Sequence, residues 1–213
     1  VDEGNLACIV GPNGAGKSTI LRVISGLLRP SAGTVTFKGD SIAGRSPRAI
    51  LDRGIVQVPQ ERSLFPTMTV WENVRLGAFT IRDRALVEKR MATVCEMFPM
   101  VAERRSEPAA SLSGGQQKIV EFARALMLDP ALLILDEPSM GLDPKTRTLV
   151  FNTIRTMNEA GRTLLLVEQN ARSGLGIATH GIVMESGRVR LEGRGPDVLN
   201  NPEIGRLYLG ATA

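Results

Sequence analysis

The sequence predicts an α/β fold in which a mainly parallel sheet is interrupted by a helical insertion. Short continuous apolar runs, typical of strands covered on both faces, alternate with segments of helical periodicity near both ends of the chain. Between residues 68 and 128 no convincing strand is found. We therefore predict one domain, with a core formed by residues 1–60 and 131–213 and a helical subdomain at residues 61–130.

The first core segment contains three predicted strands and one helix. The strands lie at residues 6–10, 34–37 and 55–58. The helix follows the glycine-rich run 11–16. Helical spacing places Ile20, Val23, Ile24, Leu27 and Leu28 on one face of this helix.

The insertion carries two apolar stripes at helical spacing, and each stripe predicts a helix. The first consists of Val87, Met91, Val94 and Phe98, and the second of Ile119, Phe122, Ala123 and Leu126. Strand and helix then alternate again. The predicted elements are a strand at 132–135, a helix that carries Val150, Ile154 and Met157 and ends at Gly161, a strand at 163–167 and a hairpin of 181–184 with 188–191.

Composition excludes several classes of protein. The net charge of +4, from 26 basic and 22 acidic residues, is too small to indicate nucleic-acid binding. Cys8 and Cys95 lack the spacing of a zinc site. No apolar run is long enough to span a bilayer, so a membrane role would require partner proteins. The chain begins at Val1 and enters a strand almost at once, so we expect an upstream segment.

A phosphate-binding loop follows the first predicted strand. The pattern G-x-x-x-x-G-K-[ST] is fulfilled by Gly11, Pro12, Asn13, Gly14, Ala15, Gly16, Lys17 and Ser18. Glycines allow consecutive backbone N–H groups to converge on phosphate oxygens, and the helix that follows adds its positive N-terminal dipole. We predict that Lys17 contacts the β- and γ-phosphates of ATP, that Ser18 ligates Mg²⁺ and that Thr19 contacts the α-phosphate. The alternative is a glycine-rich turn without function.

Two acids follow the apolar strand at 132–135. Because strand ends face the ligand in a parallel nucleotide-binding sheet, Asp136 is predicted to hold Mg²⁺ through its hydration shell. Glu137 is predicted to orient the attacking water and accept its proton. The alternative is a strand end that meets solvent.

The run Leu112, Ser113, Gly114, Gly115 and Gln116 resembles the signature of the ABC ATPase family. Further pieces resemble that family in its own order, and the resemblance covers essentially the whole chain. Gln60 matches the Q-loop glutamine that contacts the γ-phosphate and the metal. Asp143 lies in a segment, 139–143, that matches the D-loop running along a partner subunit. The resemblance implies an ATP-hydrolysing P-loop (RecA-like) core with ATP and Mg²⁺ as ligands.

The signature has a physical logic of its own. Ser113 offers a hydroxyl, while Gly114 and Gly115 let the backbone approach an anion at a helix start. The family uses this element by head-to-tail dimerisation, in which the signature of one subunit, Ser113 to Gln116, binds ATP held by the other. A homo- or heterodimer with a second ATPase subunit is therefore implied. The alternative is an ordinary N-capped helix.

Residues 58–73, 168–170 and the tail at 206–210 are similar to the second ATPase subunit of branched-chain amino-acid importers, and urea and short-amide importers look much the same. This resemblance implies integral membrane permease subunits, an extracytoplasmic solute-binding protein and a location at the cytoplasmic face of the plasma membrane. One rival is a non-transport ABC ATPase that acts on nucleic acid, but the chain lacks a second cassette and coiled-coil insertions. Another is a regulatory module without hydrolysis.

The sequence departs from the family at Gln169, where most members have a histidine that contacts the γ-phosphate. Glutamine can donate to phosphate but cannot titrate near neutral pH. We expect the only histidine, His180, to be a turn residue. The resemblance also implies that the adenine-stacking aromatic residue and the first antiparallel strands lie upstream of Val1.

The segment after Gln60 is a candidate docking site. Its apolar residues Phe65, Met68 and Trp71 are expected to line a groove for the cytoplasmic helices of the permease. The alternative is that these side chains only pack the insertion.

Overall fold

The computed structural model describes the chain as far as Leu209, with side chains described to residue 205. The tail at 206–210, used above for its resemblance, therefore falls on undescribed side chains and, at Gly210, outside the described residues. Contacts divide the chain into two compact units. Unit 1 comprises Val1–Gln57, Ala131–Glu137 and Asn158–Ala213, and unit 2 comprises Val58–Pro130 and Pro138–Met157. The subdomain boundaries at residues 60 and 131 stay a prediction.

A six-stranded sheet organises the α/β part of the chain, in the order β4-β5-β6-β1-β7-β8. Its strands are β1 (Leu6–Val10), β4 (Ile55–Val58), β5 (Leu132–Asp136), β6 (Leu164–Glu168), β7 (His180–Glu185) and β8 (Arg188–Gly193). Strand β1 runs parallel to β6 and β7, and β5 runs parallel to β6. Strands β7 and β8, by contrast, pair in an antiparallel manner. The predicted α/β fold with a mainly parallel sheet is confirmed.

Burial explains why the central strands are continuous apolar runs. All five residues of β1 and all five of β6 are buried, as expected for strands covered on both faces. The core of unit 1 joins side chains from β1, β5 and β6 with others from the segments between them, among them Leu21, Ile42 and Ile50. The helices of this part are α1 (Lys17–Ile24), α2 (Pro47–Leu51), α8 (Ala171–Leu175), α9 (Gly195–Leu199) and α10 (Pro202–Leu209).

Two predictions near the start of the chain are corrected. Helix α1 ends at Ile24, so the prediction that Leu27 and Leu28 lie on one face of it was wrong, and both side chains are exposed. Gly26 adopts a φ of 74°, where the left-handed backbone ends the helix. The strand expected at 34–37 is shorter. It consists of β2 (Thr36–Phe37), which pairs with β3 (Asp40–Ser41) in a small antiparallel hairpin.

His180 is the first residue of β7, so the prediction of a turn residue was wrong. Its Cα pairs with that of Ala7 on β1, and its ring Nε2 lies 2.9 Å from Glu192 Oε1 on β8. The predicted hairpin is confirmed, with β7 and β8 joined through Ser186 and Gly187, both at positive φ.

Unit 2 is helical, and no strand occurs between residues 68 and 128 of the described chain. Its helices are α3 (Val70–Arg75), α4 (Arg84–Met97), α5 (Pro99–Glu103), α6 (Gly114–Leu126) and most of α7 (Pro144–Glu159), with short 3-10 turns at Leu76–Ala78 and Ala109–Ser111. Both apolar stripes predicted for this region are buried. None of the described helices is long and apolar enough to cross a membrane.

Candidate functional site

Three neighbouring strands of unit 1 end at one edge of the sheet. The register pairs Asp136 at the end of β5 with Val167 on β6, and Val10 at the end of β1 with Glu168 on β6. The residues that follow these ends are Glu137, Gln169 and the loop from Gly11 to Ser18. Three predicted site segments that are far apart in sequence therefore leave the sheet side by side, where open parallel sheets bind their ligands.

The loop conformation depends on its glycines. Gly14 and Gly16 have φ angles of 79° and 101°, which side-chain-bearing residues rarely adopt. A Cβ on Gly11 would collide with the carbonyl oxygen of Met184. Gly16 is the N-cap of α1 and provides no side-chain cap. The first turn of α1, where Ser18 and Thr19 are exposed, therefore presents backbone N–H groups that suit an anion.

Lys17 is buried, although it carries the charge of this loop. Its Nζ donates to the carbonyl oxygens of Gly11 at 2.7 Å and Pro12 at 3.2 Å, and it lies 3.4 Å from Glu137 Oε1. The side chain is only 5% exposed. Buried ammonium groups need such partners, and these partners aim the Nζ along the loop rather than into solvent. Phosphate oxygens can replace the carbonyls as hydrogen-bond acceptors.

Glu137 has a left-handed backbone, with φ 42°. Such a conformation costs a non-glycine residue about 1–3 kcal/mol and is concentrated at functional sites. The hydrogen bond from its N–H to the Val167 carbonyl oxygen, 2.9 Å long, holds the residue at the end of β5. The carboxylate is thereby fixed beside Lys17 instead of continuing the strand direction.

The donor chemistry at this edge fits Mg²⁺. Ser18 supplies an exposed hydroxyl at the start of α1, and Asp136 supplies a half-buried carboxylate at the end of β5. Hard oxygen donors of this kind, completed by water and phosphate, are what Mg²⁺ prefers. Gln169 is exposed directly after β6 and carries a neutral amide that can donate a hydrogen bond.

The signature residues lie in unit 2, at the start of α6. Ser113 is the N-cap of this helix, and its Oγ accepts from the Gln116 N–H at 3.4 Å. Gln116 Oε1 in turn accepts from the Ser113 N–H at 3.0 Å, which completes a capping box. A Cβ on Gly115 would approach Thr146 on α7 to 2.6 Å, so this glycine allows the two helices to pack closely.

Asp143 begins α7. Its Oδ1 accepts from the N–H groups of Lys145 at 3.0 Å and Thr146 at 3.1 Å. Hydrogen bonds from the side chain and backbone of Thr146 hold the pKa of Asp143 below its usual value. The carboxylate thus stays ionised as a helix cap, and a role at a nucleotide stays a prediction.

Gln60 follows β4 in an irregular segment of unit 2, and its Nε2 contacts Met140 Sδ at 2.7 Å. Its roles towards Mg²⁺ and the γ-phosphate stay predictions. Of the three groove residues, Phe65 is 53% exposed, while Trp71 is half-buried beneath the Arg105 guanidinium at 4.5 Å. The docking and packing interpretations of these residues both stay open.

Two features of unit 2 were missed in the sequence. Asn73 is fully buried, its Oδ1 accepts from Phe65 N–H, and its amide donates to the carbonyl oxygens of Phe65, Met68 and Thr69. A polar residue inside the helix that follows the Gln60 segment was the available signal. The second feature is a charge cluster around the buried Glu121. Its signal in the sequence was that Lys118, Glu121 and Arg124 alternate with the apolar residues of the second predicted stripe.

Known proteins resemble this chain over nearly its whole length. The family described as "ABC transporter" matches residues 1–140. BraG of Pseudomonas aeruginosa, a high-affinity branched-chain amino acid transport ATP-binding protein, is 37% identical over 210 residues, 99% of this chain and 90% of that protein. The ADP conformation of MJ1267, an ATP-binding cassette of an ABC transporter, matches with a TM-score of 0.88 at 31% identity, covering 99% of this chain and 90% of that one.

A dimeric structure is also among the similar proteins. The cassette MJ0796, in a post-hydrolysis dimer bound to ADP and Pi, matches with a TM-score of 0.75 at 29% identity. The match covers 91% of this chain and 87% of that one.

Proposed function

The chain belongs to the ABC transporter family, and we propose that it is the ATP-binding and ATP-hydrolysing subunit of an importer for a small solute. Branched-chain or other hydrophobic amino acids are the proposed cargo, by similarity to BraG. One observation carries the proposal. The buried Lys17 ammonium and the Glu137 carboxylate lie 3.4 Å apart, at the sheet edge where β1, β5 and β6 end.

The residues of unit 1 suit nucleotide hydrolysis. Lys17 and the N–H groups of the loop bind the phosphates, and Ser18 with Asp136 would hold Mg²⁺. When bound, Mg²⁺ neutralises charge on the β- and γ-phosphate oxygens. Glu137 orients the attacking water and takes its proton, because its carboxylate is held at the strand end. Gln169 donates its amide N–H to the γ-phosphate.

A composite site formed by two subunits is proposed for hydrolysis. Ser113, Gly114 and Gly115 of one subunit bind the γ-phosphate of ATP held in the loop of the other, with Gln116 and Asp143 nearby. The similar MJ0796 cassette, a dimer bound to ADP and Pi, supports the pairing of two subunits. Gln60 is proposed to contact the same γ-phosphate and Mg²⁺ within its own subunit.

A permease docking surface is proposed on unit 2. An open groove of about 460 Å³ is lined by apolar side chains, among them Met68, Leu76 and Phe79. Its charged lining residues are Glu72, Arg75, Arg82 and Arg84. Phe79 is 69% exposed. An amphipathic helix of a permease, presented at the cytoplasmic face of the membrane, could cover these apolar side chains. The solute-binding protein would act through the permease.

Reconstitution tests the proposed cargo. The full-length ATPase is purified with its permease subunits in lipid, and ATPase rates are measured with binding proteins loaded with leucine, valine or urea. Stimulation by a leucine- or valine-loaded binding protein is expected. If only the urea-loaded binding protein stimulates hydrolysis, the proposed cargo is wrong but the ATPase assignment stands. Absence of ATPase activity under all conditions would contradict the assignment itself.

A further inference from the structure

A buried charge cluster ties the segment that follows Gln60 to the signature helix α6. Ser63, three residues beyond Gln60, donates from its N–H to Glu121 Oε1 at 2.7 Å and from its Oγ at 3.0 Å. Arg124 donates to the Ser63 carbonyl oxygen at 2.7 Å and also to Ser63 Oγ. Lys118 Nζ lies 2.6 Å from Glu121 Oε2. We call Ser63, Lys118, Glu121 and Arg124 the Ser63 cluster.

Because its charged groups lie away from solvent, this cluster depends on particular hydrogen-bond partners. The side chains of Lys118 and Glu121 are 9% and 2% exposed, and burial lowers the pKa of Arg124 although Glu121 opposes that shift. Apolar residues of similar volume would pack at less desolvation cost than two buried charges and the half-buried Arg124. Unlike apolar contacts, the hydrogen bonds of these charged groups fix the orientation of the backbone at Ser63. The Ser63 N–H, carbonyl and hydroxyl are all engaged, so the segment has one position on the helix.

The cluster joins two elements that the proposed function assigns to the γ-phosphate. Gln60 lies just before Ser63, and the signature lies at the start of α6, about 12 Å along the helix from Glu121 at 1.5 Å per residue. We propose, on the basis of that function, that Glu121 is a positioning residue. It holds the Gln60 segment on α6, so that Gln60 and the signature helix move together.

Asn73 supports the inference from the other side of the segment. Its four hydrogen bonds to Phe65, Met68 and Thr69 fix the chain just beyond Ser63. The segment between β4 and α3 is therefore fastened within unit 2 at Ser63 and again from Phe65 onward. A displacement of α6 moves Ser63 directly, and Gln60 is the nearest residue with proposed chemistry.

A double-mutant cycle tests the proposal in the full-length, reconstituted ATPase. Glu121→Gln keeps the size of the side chain and removes its charge. It is expected to lower kcat by about tenfold, the order of one charge-assisted hydrogen bond, and to leave the Kd for ATP within about twofold. In a Gln60→Ala background the same substitution is expected to lower kcat by less than about twofold, because Glu121 acts through the segment that carries Gln60. A merely structural role would give equal losses in both backgrounds, and that result would overturn the proposal.

Arg90→Gln is the matched control. Arg90 donates to the Met127 carbonyl oxygen at 2.9 Å, at the carboxyl end of α6, and its guanidinium lies 3.9 Å from Asp129, so its described partners are not members of the Ser63 cluster. Its kcat is expected to stay within about twofold of wild type in both backgrounds. A loss equal to that of Glu121→Gln would mean that any disturbance of α6 suffices, which contradicts a specific role for Glu121.

Ser63→Ala decides the matter if Glu121→Gln does not fold. It removes only the hydroxyl and keeps the backbone bond to Glu121, so a smaller loss of about threefold is expected, again absent in the Gln60→Ala background. Full activity of Ser63→Ala, or an equal loss of kcat in the wild-type and Gln60→Ala backgrounds, would overturn the proposal. If Gln60→Ala itself matched wild type, the proposed role of Gln60 would fail instead. An inactive wild type would count against the proposed function.

Discussion

The phosphate loop of unit 1 and the signature of unit 2 both begin a helix, but they differ in how that helix start is satisfied. Gly16 gives α1 no side-chain cap, whereas Ser113 and Gln116 give α6 a complete capping box. The loop also has a buried cation, Lys17, while the first turn of α6 has no acidic or basic residue before Lys118. The uncapped start of α1 suits an anion bound by the same chain. The start of α6 is already capped by its own side chains, and we propose that it meets an anion held by a second subunit.

Removal of the Lys17 cation should have the largest effect. Lys17→Ala is expected to abolish measurable nucleotide binding and hydrolysis, because the loop loses the only positive side chain placed for the β- and γ-phosphates. Isothermal titration calorimetry with ATP and Mg²⁺ measures this in the full-length chain. Retention of wild-type affinity would remove Lys17 from its proposed role and weaken the contrast between the two helix starts.

Ser113→Arg should block hydrolysis without loss of ATP binding to the single subunit. The bulky cation would occupy the space in which the partner's γ-phosphate docks, and the capping box would also be lost at a cost of about 0.5–2 kcal/mol. A thermal melt separates that cost from the loss of turnover.

Mixing the two variants isolates the composite site. A Ser113→Arg subunit and a Lys17→Ala subunit damage different halves, so their mixture should regain activity at one of its two sites. If no ratio of the variants hydrolyses ATP where wild type does, the head-to-tail arrangement is contradicted.

Glu137→Gln should lower turnover by about 10²–10⁴-fold, the usual contribution of a general base. ATP affinity should persist, because Lys17 and the loop N–H groups remain. The uncleaved nucleotide is then expected to hold two subunits together, which size-exclusion chromatography with ATP and Mg²⁺ detects. A Glu137→Gln protein that hydrolyses ATP at the wild-type rate would refute the assignment of the base.

The sheet edge of unit 1 was predictable because its signals are local. Residue spacing predicts the loop from Gly11 to Ser18, and an apolar run that ends in acids predicts Asp136 and Glu137 at a strand end. Neither pattern contains the left-handed φ of 42° at Glu137 or its ion pair with Lys17. Both depend on the alignment of β5 beside β6, which is a property of the assembled sheet.

The missed features of unit 2 depend on contacts between distant residues. Ser63 and Glu121 are 58 positions apart, and nothing near either residue in the sequence indicates the other.

Two expectations for unit 1 were also corrected by the structure. His180 was expected to lie in a turn, yet pairing with β1 extends β7 to include it. Leu27 and Leu28 fitted a helical face, but Gly26 ends that periodicity first. Tertiary contacts override the local pattern at Ser63, Glu121 and His180, whereas a neighbouring glycine ends the helix before Leu27 and Leu28.

Substitution of Gln169 is expected to have the smallest effect on turnover. The residue is also the position at which this chain departs from the histidine expected by family resemblance. It stands exposed after β6, at the same edge as Lys17 and Glu137. If its amide donates to the γ-phosphate, Gln169→Ala should lower kcat about three- to tenfold, the equivalent of one neutral hydrogen bond of roughly 0.5–1.5 kcal/mol. ATP affinity should change little, because a contact that tightens in the transition state contributes to rate more than to binding.

A histidine variant sharpens this last prediction. Gln169→His should remain active and acquire a pH dependence near the imidazole pKa of about 6.5, since a protonated ring adds positive charge beside the phosphates. The wild-type amide cannot titrate, so its rate should lack that inflection. Steady-state ATPase rates between about pH 5.5 and 8 for the three proteins make the comparison. Unchanged turnover in Gln169→Ala would mean that this residue only ends a strand, and that the phosphate contact at this edge comes from Lys17 and the loop alone.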